Sequence, residues 1–259
     1  MEYGLFRKKL MQAAGIDLSF YKESQMRRRL AAALTRSGHA NLFDYWRAIE
    51  SNPALLKDFL DFVTINVSSF FRNREKFDEL ENAILPGLLA TRRTLKIWSA
   101  GCSTGPEPYS IAIILSELTP GTRHRIIGTD INESALQSAR EGVYAYDDVK
   151  EVKPDLVQKY FKEEQGKLRL KDRVRQMVEF RCHNLLADSY EQDCDLIVCR
   201  NVMIYFTEEA KAMVFKGFHA SLRPGGVLFI GGTETIMAAP ALGFEPISPF
   251  FYRKREVAT

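Results

Sequence analysis

LKIWSAGCSTG, residues 95–105, is the segment most diagnostic of the fold class. It is a short apolar run that ends in a turn containing Gly101 and Gly105, and a helical pattern follows from about Glu107 to Leu118. An apolar run bounded by a glycine turn and then a helix is typical of a buried strand in an α/β unit. Glycine also lets the backbone approach a ligand closely, so the turn is a candidate ligand loop.

The same order of elements recurs along the chain. RIIGTDI (125–131) predicts a second strand, and a helix is expected over 133–141. CDLIVCRNVMIYF (194–206) contains a third buried strand, and VLFIGG (227–232) is a fourth. Strands that alternate with helices in this way predict an α/β fold, in which a parallel sheet carries helices on both faces.

The N-terminal third of the chain has a different pattern. Within residues 1–85, apolar residues recur at helical spacing, and no run alternates like a strand. Pro86-Gly87 interrupts that pattern and a polar stretch follows it. We therefore predict a helical N-terminal domain over 1–85, a linker at 86–94 and an α/β domain over 95–259.

Residues 142–180 fit the alternation of strands and helices poorly. They are rich in tyrosine and charge, with short candidate strands at 167–170 and 177–180. We expect these residues to form a small β subdomain inserted into the α/β domain.

The composition is that of an ordinary globular protein, with 46% hydrophobic and 27% charged residues. No apolar run approaches the roughly 20 residues that a membrane span needs, and the start of the chain lacks the apolar core of a signal peptide. We therefore expect a soluble, cytoplasmic protein without membrane insertion. The cysteines form no CxxC pair and the histidines are scattered, so we expect no metal site.

The positive charge is concentrated near the N-terminus. The net charge is only +3, which argues against nucleic-acid binding, yet residues 1–40 hold eight Lys/Arg against three Asp/Glu. Residues 19–37 form a predicted amphipathic helix with a basic face opposite its apolar face. The basic residues are Lys22, Arg28, Arg29 and Arg36. This face is a candidate docking surface for an acidic partner, and the alternative is a charged face that only meets solvent.

An acidic residue ends the second predicted strand. Asp130 follows Gly101 by 29 residues, and an acid at the carboxyl end of a parallel strand can accept both hydroxyls of a ribose. The alternative is that Asp130 only caps the next helix. The glycine spacing lacks the dinucleotide fingerprint, and Glu107 follows the turn, which together favour a cationic ligand over a pyrophosphate. Glu107 could instead simply favour the N-terminus of its helix, and an NAD-dependent enzyme stays open.

Several further motifs occur in order along nearly the whole chain. They are Tyr21-Lys22 with Arg27-Arg28-Arg29, residues 64–72 (TINVSSFFR), WSAGCSTG running into Glu107-Pro108-Tyr109-Ser110, Gly128-Thr129-Asp130-Ile131, Asn184-Leu185-Leu186, and residues 199–206 (CRNVMIYF). With these motifs the chain resembles the CheR family of chemoreceptor methyltransferases. The resemblance implies a Rossmann-like class I methyltransferase domain with a small β insertion, preceded by an all-α N-terminal domain.

The resemblance also implies a reaction. The methyl donor is S-adenosylmethionine, the product is S-adenosylhomocysteine, and the acceptors are glutamate side chains on the cytoplasmic helices of chemoreceptors. We expect the enzyme to be a monomer. A glutamate carboxylate, with a pKa of about 4.3, is already ionised at neutral pH, so the reaction needs no strong general base.

Site residues follow from the matched motifs. The implied cofactor-binding residues are Asn66, Ser68, Arg72, Gly101, Glu107, Asp130, Asn184, Leu185, Arg200 and Asn201. Arg72 and Tyr205 are the implied catalytic residues, which flank the site of methyl transfer. The family often has Thr at position 68, and it often has Glu-Glu-Pro where this chain has Pro106-Glu107-Pro108.

Two alternatives differ in function. One is a class I methyltransferase with another acceptor, such as a small molecule or RNA. The other is a catalytically idle adaptor that binds receptors or senses the cofactor.

Overall fold

The computed structural model describes residues 3–64, 67–237 and 239–255. The N-terminal part is helical: α1 Tyr3–Ala14, a 3-10 turn Leu18–Phe20, α2 Glu23–Ser37, α3 Leu42–Ser51 and α4 Pro53–Val63. Asn41 and Asn52 begin α3 and α4 because their side-chain oxygens accept backbone N–H groups of the first turn. The helices pack around Phe6, Trp46 and Phe59, each almost fully buried.

The predicted amphipathic helix begins later than the sequence suggests. Asp17 caps the 3-10 turn through the Ser19 backbone N–H, and α2 starts only at Glu23. Met26, Leu30 and Ala33 are buried on the inner face of α2, as their spacing predicts. Gly38, with φ 71°, ends the helix in a left-handed conformation that favours glycine.

The next helical stretch crosses into the region predicted as a linker. It comprises α5 Arg74–Glu79, a π-helical turn Leu80–Ile84 and α6 Leu85–Leu89. Pro86 comes just after the π-helical turn, so its missing N–H falls inside a continuous helical run where the regular α-helical hydrogen bonding is already interrupted. Residues 86–89 are therefore helical, and the division of the chain into domains at 86–94 stays a prediction.

The rest of the described chain builds two sheets. The strands are β1 Lys96–Ala100, β2 Arg125–Asp130, β3 Val143–Tyr144, β4 Phe161–Glu164, β5 Lys167–Leu170, β6 Val178–Cys182, β7 Cys194–Cys199, β8 Leu222–Ile230, β9 Phe244–Ser248 and β10 Phe251–Lys254. The helices are α7 Pro106–Leu118, α8 Glu133–Glu141, α9 Pro154–Tyr160, α10 Asp172–Arg175 and α11 Glu208–Ser221, with 3-10 turns at Tyr146–Val149, Met203–Tyr205 and Ala239–Leu242.

The main sheet has seven strands in the order β6-β2-β1-β7-β8-β10-β9. Its first five strands are parallel, and β10 runs antiparallel between β8 and β9. Neighbouring residues of β1 face opposite sides of the sheet, where Ile97 and Trp98 join different cores. The predicted α/β fold with helices on both faces is therefore confirmed.

The small inserted sheet has three strands in the order β3-β5-β4. The strand predicted at 167–170 is β5. The strand predicted at 177–180 is real, but as β6 it pairs with β2 in the main sheet and not with the insertion. A short apolar run does not specify its partner strand, which is why its spacing was compatible with either sheet.

The strand order places a crevice at the carboxyl ends of the parallel strands, which we call the carboxyl edge of the main sheet. The chain runs from β1 to β2 and on to β6 on one side of β1, and then crosses to β7 on its other side, so the carboxyl ends of β1 and β7 open at a topological switch point. The helical part is tied to the same edge, since the Lys22 backbone N–H donates to the Tyr205 carbonyl at 2.9 Å. In the described part of the chain, no helix has the length and apolar character needed to cross a membrane.

Candidate active site

The predicted site residues converge on one cleft between the helical part and the carboxyl edge of the main sheet. Leu10, Met26 and Leu60 form part of its helical wall. The predicted residues on its lining are Ser68, Arg72, Gly101, Glu107, Asp130, Asn184, Leu185, Arg200, Asn201 and Tyr205. Asn66 lies outside the described residues. Residues far apart in sequence therefore share one site.

Only glycine fits the turn that follows β1. Gly101 has φ 81°, and its N–H donates to the Thr129 carbonyl at 2.7 Å. A Cβ at this position would lie 2.3 Å from Cγ2 of Val202. The turn is thus pressed against the loop that follows β7, and this contact sets the spacing between two parts of the cleft wall.

Asp130 is held by backbone donors at the end of β2. Its two carboxylate oxygens accept the N–H groups of Ser103 at 2.8 Å and Asn132 at 2.9 Å. Burial raises the pKa of the Asp130 carboxyl, although these bonds act in the opposite direction. The N-cap of α8 is Asn132, whose side chain accepts the Ala135 N–H, so capping does not account for Asp130.

Glu107 and Arg200 form a buried ion pair. The closest approach is 3.5 Å between Oε2 of Glu107 and Nη1 of Arg200, and the Ser99 hydroxyl donates to Oε1 of Glu107 at 2.8 Å. Burial raises the pKa of Glu107 and lowers the pKa of Arg200, so desolvation outweighs the attraction within the pair. A cation entering the cleft beside Glu107 would relieve part of that cost.

Arg200 links this pair to the segment after α4. Its Nη2 donates to the Arg72 carbonyl at 2.8 Å and to Oδ1 of Asn73 at 2.7 Å. The guanidinium also lies 4.7 Å from the centre of the Phe229 ring. These contacts fix the backbone at Arg72 while leaving its own side chain half-buried on the cleft wall.

Tyr205 lies in the 3-10 turn after β7 and is half-buried in the cleft. Burial raises the pKa of its hydroxyl, although the positive charges of Arg29 and Arg72 act to lower it. The phenol therefore stays protonated at neutral pH and can donate a hydrogen bond. An acceptor carboxylate in the cleft would meet a neutral donor at this position.

Another part of the cleft combines apolar and amide groups. Leu185 and Ile131 line it, and Asn184 donates through Nδ2 to the Gly15 carbonyl at 3.2 Å. That bond connects the loop after β6 to the end of α1. Apolar surface beside a fixed amide is suited to a flat heteroaromatic ring.

Three polar residues of this region were missed by the sequence reasoning. Ser103 and His183 line the cleft, and the Ser103 hydroxyl is buried without a hydrogen-bond partner among the described residues. Glu234 is 5% exposed and bonds the loop after β7. The available signal for Glu234 was an acid just after a buried strand, the same signal that identified Asp130.

The four predicted docking residues differ in exposure. Arg28 and Arg36 are exposed on α2, whereas Lys22 and Arg29 are half-buried. Arg29 donates to the Phe62 carbonyl, so its guanidinium is directed toward α4. The exposed basic face is therefore narrower than the sequence suggests.

Comparisons with known proteins agree along nearly the whole chain. Residues 66–247 match the family model "CheR methyltransferase, SAM binding domain", and residues 1–64 match "CheR methyltransferase, all-alpha domain". A chemotaxis protein methyltransferase of Listeria monocytogenes is 40% identical over 98% of this chain and 97% of its own length. One from Borreliella burgdorferi is 35% identical over 93% of this chain and 89% of its own length.

The raised pKa of Asp130 predicts how its replacement changes stability with pH. As pH falls, the Asp130 carboxyl of the folded state binds a proton at a higher pH than the same carboxyl in the unfolded chain, where an Asp pKa is about 3.9. Between the two values the folded state holds more protons, so its stability falls as pH rises through that window. Asp130→Asn lacks this titration, so its free energy of unfolding relative to wild type should rise from acid pH toward neutrality.

Urea unfolding of the ligand-free proteins across a pH series measures this difference. Altered hydrogen bonds in Asp130→Asn shift its free energy of unfolding by the same amount at every pH. They therefore leave the slope of the difference against pH unchanged. A difference that stays constant with pH, or that falls toward neutrality, would contradict the burial of an ionised Asp130.

Proposed function

The chain belongs to the CheR methyltransferase family, and we propose that its cleft transfers a methyl group from S-adenosylmethionine to glutamate side chains of chemoreceptors, leaving methyl esters. The observation that carries this proposal is the convergence of two acids with an arginine and a neutral tyrosine. Asp130, Glu107, Arg72 and Tyr205 all line the same cleft. The family and the names of the relatives support methylation in chemotaxis.

The residues of the cleft fit this cofactor chemically. Asp130 accepts the ribose hydroxyls, and the Ser103 hydroxyl, which has no hydrogen-bond partner among the described residues, is available to a polar ligand atom. Leu185 and Ile131 offer apolar walls for adenine. Glu107 favours the cationic end of the molecule. When bound, S-adenosylmethionine supplies an electrophilic methyl group on a sulfonium.

Arg72 and Tyr205 act on the acceptor. The glutamate carboxylate is already ionised, so the work of the protein is to position it and to exclude water. Arg72 orients the carboxylate by charge, and the protonated Tyr205 hydroxyl donates a hydrogen bond near the reacting oxygen. Neither removes a proton, because the nucleophile carries none. Interactions with Arg72 must strengthen toward the transition state, since equal binding of the ground state does not speed the step.

Docking is assigned to the exposed basic face of α2. Arg28 and Arg36 are exposed, and the neighbouring turn Leu18–Phe20 contacts the segment that carries Tyr205, because the Thr207 N–H donates to the Phe20 carbonyl at 2.9 Å. A receptor helix bound to this face would therefore lie near the cleft. Acidic methylation sites on such a helix complement the positive charge.

The assay for this function uses the purified protein, methyl-labelled S-adenosylmethionine and membranes that carry chemoreceptors. We expect label that mild base releases as methanol, because a carboxyl methyl ester hydrolyses under these conditions. Arg72→Ala should lower turnover at saturating substrate roughly 100-fold through lost positioning, and Tyr205→Phe roughly tenfold through a lost hydrogen bond.

The control is cofactor affinity, which calorimetry with S-adenosylhomocysteine measures. Intact affinity without base-labile label in wild type would reject the glutamate acceptor and favour another acceptor or an idle adaptor. If Arg72→Ala keeps full turnover, Arg72 has no role in methyl transfer.

Charge reversal on α2 separates docking from catalysis. Arg28→Glu should raise the KM for receptor membranes several-fold at low salt and leave cofactor affinity unchanged, because a rim charge chiefly affects encounter. Arg47→Glu, an exposed position on α3, makes the same change in net charge and is the matched control. Equal effects of both substitutions would mean that only net charge matters, and would reject the docking face.

A further inference from the structure

The loop after β7, residues 200–206, supplies six cleft residues from one short segment. They are Arg200, Asn201, Val202, Ile204, Tyr205 and Phe206. The loop includes an unfavourable conformation, since Asn201 has φ 60°. A segment of this kind keeps one geometry only if its surroundings hold it there.

Glu234 supplies that restraint from the segment after β8. Its Oε1 accepts the Met203 N–H at 2.8 Å, and its Oε2 accepts the N–H groups of Asn201 at 3.1 Å and Gly231 at 2.7 Å. The side chain is 5% exposed. One buried carboxylate therefore bonds both sides of Val202 in the loop and ties them to the end of β8.

The chemistry of this contact requires a carboxylate. An ionised carboxylate only accepts hydrogen bonds and has room for several donors, whereas an amide would turn its own NH₂ toward one of the three N–H groups. The backbone is also closely fitted. A Cβ on Gly231 would lie 2.6 Å from Oε2 of Glu234 and 2.9 Å from the Asn201 nitrogen.

The restraint reaches both parts of the cleft. Val202, between the two bonded amides, is the residue that packs against Gly101 of the glycine turn. Tyr205 follows two residues after Met203, and its carbonyl accepts the Lys22 N–H of the helical part. Within the described part of the chain, the cleft lining does not include Glu234, so its hydrogen bonds act on the cleft through the loop. Its negative charge also acts directly, since it raises the pKa of Tyr205 and of Glu107.

We propose that Glu234 is a positioning residue for methyl transfer, whose three backbone hydrogen bonds set the loop 201–205 so that Asn201 meets the cofactor and Tyr205 meets the acceptor. The role in transfer rests on the proposed function. The restraint on the loop does not, because it follows from contacts within the chain.

The test compares Glu234→Gln with Asp195→Asn. Asp195 is also a buried carboxylate, 1% exposed, that accepts a backbone N–H, from Lys96 at 2.7 Å. It lies at the start of β7, whereas the loop follows the end of the same strand. Both substitutions therefore remove a buried carboxylate. Asp195 differs from Glu234 in its distance from the loop and in its ion pair with Arg223.

Three readouts are measured on each full-length variant: affinity for S-adenosylhomocysteine by calorimetry, kcat and KM in the label assay, and hydrogen exchange of the Asn201 and Met203 amides. For Glu234→Gln we expect affinity to fall at least about fivefold, kcat to fall further than KM changes, and both amides to exchange faster. Asp195→Asn should lower the melting temperature and keep cofactor affinity and loop exchange. Glu234→Asp, which keeps the charge but is shorter, should fall between wild type and Glu234→Gln, and it serves if the amide variant does not fold.

The proposal would be overturned if Glu234→Gln kept the affinity, the kcat and the amide exchange of the wild-type protein. Equal losses of affinity in Asp195→Asn would overturn it as well, since general destabilisation would then explain both. If wild-type protein methylates no receptor, the proposed function fails alone, because affinity and exchange still test the restraint on the loop.

Discussion

Three carboxylates, those of Glu107, Asp130 and Glu234, lie at the carboxyl edge of the main sheet, where burial makes a charge costly unless hydrogen bonds or counter-charges offset it. Each carboxylate finds its partners in a different part of the chain. Glu107 meets a guanidinium and a hydroxyl, Asp130 accepts from the turn after β1, and Glu234 accepts from the loop after β7. These bonds fix the loops that form the cleft. The shape of the site is therefore a consequence of how the sheet accommodates buried charge.

The helical N-terminal part depends on the same edge. It contacts the loop after β7 at Lys22 and Phe20, and the amide of Asn132, next to Asp130, donates to the Thr64 hydroxyl at 2.7 Å. The helices thereby cover the strand ends and form one wall of the cleft. A carboxylate that reacts there loses part of its hydration, which suits transfer to a weak nucleophile.

Much of the fold is predictable from the sequence because its central strands are short apolar runs bounded by glycine turns. β9 and β10 were not predicted, since both lie near the edge of the sheet and carry exposed residues, and β9 also includes Pro246. The partner of β6 could not be predicted, because pairing depends on tertiary packing. Glu107 stands out just after the glycine turn and Asp130 at the end of a predicted strand, whereas the contact of Glu234 with residues 201 and 203 exists only in the fold. Arg29 has the spacing of a surface residue but meets the Phe62 carbonyl.

The most direct test of the central claim is a crystal structure of the protein with S-adenosylhomocysteine. We expect the ribose hydroxyls to lie about 2.6–3.0 Å from the Asp130 carboxylate, with adenine against Leu185 and Ile131 and the sulfur on the side of Arg72 and Tyr205. Nucleoside bound outside this cleft, or bound in it with the ribose away from Asp130, would contradict the account.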